Sequence, residues 1–178
     1  MTQYRRMCVG GGCYFFTVNL ADRASDLLVR RIGDLRDAVR ACRAARPFQI
    51  DAWVVLPEHL HCVWTLPEGD TDFSGRWRAI KGGFSRLMPL AEARSPSRAS
   101  KHERGIWQRR FWEHAIRDDD DYARHVDYVH FNPVKHGLVH AVADWPYSTF
   151  HRAVAQGVYP ADWAGTGAEA MEAGERGA

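Results

Sequence analysis

Two imidazoles stand two residues apart at His59 and His61, inside the apolar run from Ala52 to Leu66. On a strand, residues i and i+2 project to the same side of the sheet, so both rings would face one site, an arrangement suited to bidentate metal ligation. Further along, Tyr128 and Asn132 stand four apart in Asp127-Tyr128-Val129-His130-Phe131-Asn132-Pro133-Val134-Lys135 and would share a helix face. Two neutral imidazoles and an oxygen ligand leave coordination positions on Mg²⁺ or Mn²⁺ open to a phosphate oxygen. A phenol is a sensible nucleophile for a phosphodiester, because the phosphotyrosyl bond keeps the energy of the ester it replaces. Its ordinary pKa of about 10 requires nearby positive charge to carry the developing phenolate.

Each residue also has a plainer reading. With nine histidines in the chain, chance alone yields roughly half an H-x-H pair, so the pair gains weight only from its apolar setting, where buried rings need partners. Tyr128 could be ordinary amphipathic packing with its hydroxyl at the surface. Asn132 followed by Pro133 also has the form of an N-cap with proline at the first helical position, opening a short helix that ends near Gly137, and that role competes with metal ligation for the same carboxamide oxygen. Tyr122 is followed by Val126 at i+4, and Tyr147 and Tyr159 fall in expected loops, so Tyr128 alone carries a polar partner one turn on.

The elements that must position these groups follow from periodicity. Tyr14 to Leu20 is aromatic and β-branched and follows Gly10-Gly11-Gly12, which predicts a strand. Leu28, Ile32, Leu35, Val39 and Cys42 predict an amphipathic helix over Ser25 to Arg46, capped by Ser25. Phe48 to Leu56 and His59 to Leu66 form a predicted hairpin about Pro57-Glu58. Trp77, Ile80, Phe84 and Leu87 predict a helix over Phe73 to Leu90 beginning near Asp72. Ala91 to Gly105 is expected to be a mobile linker, Trp107 to Ile116 a fourth strand and Asp119 to Phe131 a third helix. The order is that of an α+β, ferredoxin-like βαββαβ core with helices on one sheet face, the other face left for a site, and a C-terminal helix carrying the nucleophile.

Length and composition set the bounds. The 178 residues, 46% hydrophobic, suffice for one domain with a substantial core, expected over residues 1–163. Residues 164–178 carry three Glu and one Arg, a net −2 that leaves +4 on the rest, and read as a disordered tail on a mildly basic domain. Cys8, Cys13, Cys42 and Cys62 form no C-x-x-C pair and are expected as reduced thiols. Arg5 and Arg6 before Cys13 to Val18 imitate a short signal peptide, but the three glycines and Thr17, Asn19 and Asp22 argue against one. No apolar run approaches transmembrane length, so a cytoplasmic location is expected.

With these residues in place the chain resembles the REP-associated tyrosine transposases, the branch of single-tyrosine HUH transposases related to the insertion-sequence transposases that act on single-stranded DNA hairpins. The resemblance lies in Pro57-Glu58-His59-Leu60-His61-Cys62-Val63-Trp64 and in His125 to Gly137. It extends through Tyr14 to Leu20, Ala52 to Pro57, Trp107-Gln108-Arg109-Arg110-Phe111-Trp112-Glu113-His114 and Asp144 to Phe150, to about Gly165. It implies that His59, His61 and Asn132 hold the metal, Mg²⁺ or Mn²⁺, and that Tyr128 is the nucleophile. The implied activity is that of a single-stranded DNA endonuclease and strand transferase acting on REP-type hairpins through a 5′-phosphotyrosine intermediate, in a bacterial cytoplasm at the nucleoid. The alternatives are a non-catalytic hairpin-binding regulator and a metal phosphodiesterase that uses water. Tyr4, Arg5, Arg6, Arg76, Arg78, Lys81, Arg109 and Arg110 interleave with aromatic residues and are candidate DNA contacts, with Lys135 and His136 candidates for a phosphate beside Tyr128. A single chain is expected to assemble the site alone, and Trp145 to Trp163 to pack over the open sheet face and restrict access.

Overall fold

The alternation of β1 (Cys13–Asn19) divides the molecule into two layers. Tyr14, Phe16 and Val18 enter one core, while Phe15 enters another on the opposite sheet face. The computed structural model describes residues 9–90, 96–100 and 103–165. Helix α1 (Leu27–Arg30), helix α2 (Ile32–Ala45), strands β2 (Gln49–Val55) and β3 (His59–Thr65), and helix α3 (Phe73–Arg86) follow. A short helix α4 (Pro96–Ser100), strand β4 (Trp112–Ala115), helix α5 (Asp119–Lys135), a 3₁₀ turn (Val142–Asp144) and helix α6 (Phe150–Ala155) complete the chain. The sheet is antiparallel throughout in the order β2-β3-β1-β4, so the fold is α+β with the expected βαββαβ core.

Helices α2 and α3 cover the face presented by Phe16, Trp53, Leu60 and Trp64. The opposite face carries His59, His61 and Thr17 and is covered by α5, whose Val126, Tyr128 and Val129 pack on Phe15, Val54 and Val63. Both faces are therefore buried, which is why β1 and β3 read as continuous apolar runs rather than alternating ones. A bulge between Ile50 and Ala52 reverses the phase of β2, sending Ile50 to the α2/α3 side and Ala52 to the α5 side. The expectation of an uncovered sheet face is thus corrected: the helix bearing the candidate nucleophile fills it.

Several boundaries differ from the sequence reading. The helix expected over Ser25 to Arg46 is broken at Arg31 (φ −114°, ψ 34°), where the first turn is drawn to the hairpin by Leu28 N–H donating to the Pro57 carbonyl. Ser25 still accepts from Leu27 N–H, and Asp72 caps α3 by accepting from Gly75 N–H. Leu87 lies beyond α3 and is exposed. The fourth strand begins at Trp112 rather than Trp107. Leu20 pairs with Trp107 and Thr17 with Trp112, three steps of one strand against five of the other, so the residues between bulge away from the edge. The segment expected as a mobile linker contains α4 and is tied to α3. Arg104 donates to the carbonyls of Ser85, Met88 and Pro89, and Arg98 to those of Arg104 and Trp107. Residues 91–95 and 101–102 lie outside the described residues.

Asn132 does not cap a new helix. Helix α5 runs through Asn132 and Pro133 to Lys135. It stops in a Schellman motif, with Gly137 at φ +66° and its N–H donating to Val134, and Leu138 N–H donating to Pro133. Proline near the end of a helix forfeits one hydrogen bond there and is held by the packing around it, Asn132 and Pro133 both being buried. Buried packing overrides the local capping signature.

Candidate active site

Strand β3 places His59 and His61 side by side on the α5 face, with ring centroids 4.9 Å apart and both side chains fully buried. Each ring is oriented through its Nδ1. His59 Nδ1 lies 2.8 Å from Glu58 Oε1, and His61 Nδ1 lies 2.9 Å from Thr17 Oγ1, which the β1–β3 register sets directly opposite. Burial alone would raise the Glu58 carboxyl, but the hydrogen bond from His59, helped by Arg23, holds it below its ordinary value. A carboxylate accepting from Nδ1–H fixes the tautomer of His59 and leaves the lone pair on Nε2. That Nε2 is buried and makes no hydrogen bond.

Helix α5 supplies the rest. The Tyr128 ring lies 5.2 Å from that of His61 and 5.8 Å from that of Phe15, and is fully buried. Lys135 donates from Nζ to the Tyr128 hydroxyl at 3.3 Å and sits 4.6 Å from the ring centroid. The exposed His136 places its ring 5.1 Å from that of His59. With Tyr128 against His61 and His136 against His59, Asn132 lies midway on the same helix face, and it is fully buried. The structure therefore brings His59, His61, Tyr128, Asn132, Lys135 and His136 together. A buried imidazole Nε2 without a protein partner, a second imidazole beside it and a carboxamide on the facing helix fit a hard divalent ion with nitrogen and oxygen ligands.

The orienting groups Glu58 and Thr17 were not singled out from sequence. Glu58 adjoins the H-x-H pair and could have been found there, but Thr17 needs the strand register. A second cluster, His114, Asp121 and His125, has its ligand atoms within 4.8 Å of one another. It does not fit a cation. Asp121 already accepts from His114 Nε2 at 2.8 Å and from Arg117 Nε at 3.0 Å, and His125 Nδ1 is engaged by the Asp121 backbone carbonyl at 2.7 Å. Asp121 is instead a buried ion-pair node joining β4 to α5.

Among the candidate DNA contacts, Arg78, Lys81 and Arg109 converge on one cavity of about 760 Å³ between α3 and residues 98–111. Arg86, Arg98 and Arg104 join them there, with Glu103 the one acid in the lining among the described residues. Those three were missed because the stretch containing two of them resembles a linker. Burial and the neighbouring Arg98 lower the Lys81 ammonium to about 8, and its Nζ donates to the Gln108 carbonyl. Arg110 is exposed nearby. Arg76 is not part of this surface: it is 2% exposed and bound to Asp70 and to the carbonyls of Arg46, Pro47 and Asp72. Tyr4, Arg5 and Arg6 lie outside the described residues.

The segment after α5 lines the flank of this layer. Val55 N–H and Thr149 N–H pair across the β2 edge with Tyr147 and Trp53 carbonyls, and Trp145 Nε1 donates to the Val55 carbonyl. Tyr159 donates to Asp127, and its ring packs on His130.

No protein-family model matches the chain. The REP-associated tyrosine transposase of Escherichia coli strain K12 is 54% identical over 176 residues, 99% of this chain and 98% of that protein. A relative from Haemophilus influenzae is 47% identical over 167 residues, 93% of this chain and 94% of its own length. The structure of the REP-associated tyrosine transposase bound to a REP hairpin superposes with a TM-score of 0.85 at 54% identity, covering 99% of this chain and 98% of that one. With sequence and architecture shared over nearly its whole length, the chain belongs to the REP-associated tyrosine transposases.

Proposed function

We propose that this transposase nicks and rejoins single-stranded DNA at REP-type hairpins, with Tyr128 as nucleophile and His59, His61 and Asn132 as ligands of Mg²⁺ or Mn²⁺. The observation that carries this reading is the position of the Tyr128 hydroxyl, held by a lysine ammonium and packed beside the His61 ring. A bound divalent ion would polarise a phosphate oxygen at that point. The hydrogen-bonded Lys135 ammonium favours the phenolate that attack requires. Tyr128 Oη then forms a bond to phosphorus as the bond from phosphorus to the 3′ oxygen breaks. The phenol proton leaves to solvent, the departing 3′ oxygen takes a proton from solvent, and the downstream strand remains on Tyr128 through its 5′ phosphate. Attack by another 3′-OH reverses the step and joins strands. Tyr128 is covered in this conformation, so a phosphate reaches it only once that cover moves aside, with Lys135 keeping its hydrogen bond to the hydroxyl.

The cationic cleft between α3 and residues 98–111 is the proposed seat for the phosphates of the hairpin, with Arg78, Lys81 and Arg109 as its contacts from the sequence reading. Glu58 and Thr17 position the imidazoles. The place of action is the bacterial cytoplasm at the chromosome, and among the described residues no helix is long and apolar enough to cross a membrane. A denaturing gel tests the reading. A 3′-labelled hairpin should migrate with wild-type protein in Mg²⁺ or Mn²⁺, and with neither Tyr128→Phe nor the chelated enzyme. Binding without adduct would make the chain a hairpin-binding regulator, and cleavage surviving Tyr128→Phe would make water the nucleophile.

A further inference from the structure

One aromatic group beside the site has no part in the chemistry above. Trp112 stands on β4, the edge strand, and is 36% exposed. Thr17 pairs with His61 on one side and with Trp112 on the other, so the three lie abreast on the sheet face that α5 covers. Phe15 links the rings, its centroid 5.6 Å from Trp112 and 5.8 Å from Tyr128. Trp112 is thus one ring removed from the nucleophile.

Its neighbours hold it in a fixed plane. The His114 ring lies parallel to it, 6° between planes and 6.0 Å between centroids, and His114 stacks in turn on His125 at 4.6 Å. His114 is anchored by Asp121, which is itself buried. A ring already fixed by strand pairing and by a stacked neighbour loses little entropy when a flat ligand covers it. Arg110, exposed, stands two residues before it in the chain, and the exposed Arg117 is held by Asp121, the residue that anchors His114.

We propose that Trp112, backed by His114, is the stacking platform for an unpaired base of the single strand that flanks the hairpin and leads to Tyr128. The inference rests on the single-strand reading above. A nucleobase is the occupant because its flat face matches the ring and because only Phe15 separates that ring from the Tyr128 site that would take the adjoining phosphate of the same strand. Stacking of this kind tolerates any base. Trp112 is therefore a positioning residue that seats the strand.

The test titrates labelled hairpins with and without the single-stranded flank into wild type, Trp112→Ala and Trp112→Phe, with thermal unfolding as the control for folding. Trp112→Ala should weaken the flanked hairpin about tenfold or more, Trp112→Phe less, and neither should change the blunt hairpin. An abasic site at one flank position should weaken wild type by the same factor and leave Trp112→Ala no weaker than before. Equal binding of the flanked hairpin by wild type and a folded Trp112→Ala, or equal losses on both hairpins, overturns the proposal. Should Trp112→Ala fail to fold, the abasic series on wild type and Trp112→Phe decides: one position sensitive in wild type and less so in Trp112→Phe supports the platform, and insensitivity at all positions overturns it. A wild type that forms the covalent adduct yet ignores the flank refutes the platform alone, whereas one that forms no adduct refutes the reading beneath it.

Discussion

Glu58 shows how one side chain prepares a histidine for the proposed metal ligation. By accepting from His59 Nδ1 it leaves the lone pair on Nε2, in a buried position where that atom makes no hydrogen bond among the described residues. Glu58→Ala should weaken Mn²⁺ binding about ten- to a hundredfold, measured by the paramagnetic signal of free Mn²⁺ during titration, and unchanged affinity would show that His59 needs no such partner. The pair His59/His61 and the spacing of Tyr128 to Asn132 were legible in the sequence because strand and helix periods alone bring them together. Thr17 was not, because its place beside His61 depends on which residue of β1 pairs with which of β3. Asn132 was legible as a candidate but ambiguous, since Asn-Pro also spells a helix start. The packing of α5 against the sheet removes the helix-start reading that local propensity favours.

At the scale of elements, α5 must be fixed to the sheet at its N-terminus for Tyr128 to sit where it does, and Asp121 does this. Burial would raise its carboxyl, but hydrogen bonds from Arg117 and His114 hold it well below the usual carboxylate range. The sign follows directly: the folded value lies below the unfolded value of about 3.9, so its stabilisation is complete above that pH. It is lost as pH falls toward the lower folded value. Asp121→Asn should cost about 3–5 kcal/mol, read by urea unfolding, and the gap to wild type should hold from pH 7 to pH 5 and close only in stronger acid. A gap that closes near neutrality would point to the histidines instead. The strong periodicities of α2, α3 and the β2–β3 hairpin made these elements legible in advance. The start of β4 was not, because the bulge after Trp107 comes from pairing with Leu20 and leaves no trace in composition.

At the scale of the whole molecule, the two proposed tasks fall on the two faces of one sheet, with the proposed nucleophile under α5 and the cationic cleft on the side of α3. Among the described residues the cleft concentrates six cations around one acid, in a chain whose formal net charge is only +2, so overall charge gave little sign of it. Lys81, lowered to about 8 by burial and Arg98, is charged below that pH and neutral above it. Hairpin affinity should therefore fall as pH rises from 7 to 9, and Lys81→Arg, which keeps its charge, should flatten that fall. A wild-type profile flat across the range would remove Lys81 from the interface. The central claim remains the covalent bond to one tyrosine. Mass spectrometry of the wild-type protein after reaction with a flanked hairpin in Mn²⁺, followed by nuclease trimming and proteolysis, reads the modified residue directly. The account predicts a nucleotide remnant on the peptide containing Tyr128, and a remnant on Tyr122, Tyr147 or Tyr159, or on no tyrosine while DNA is cut, would contradict it.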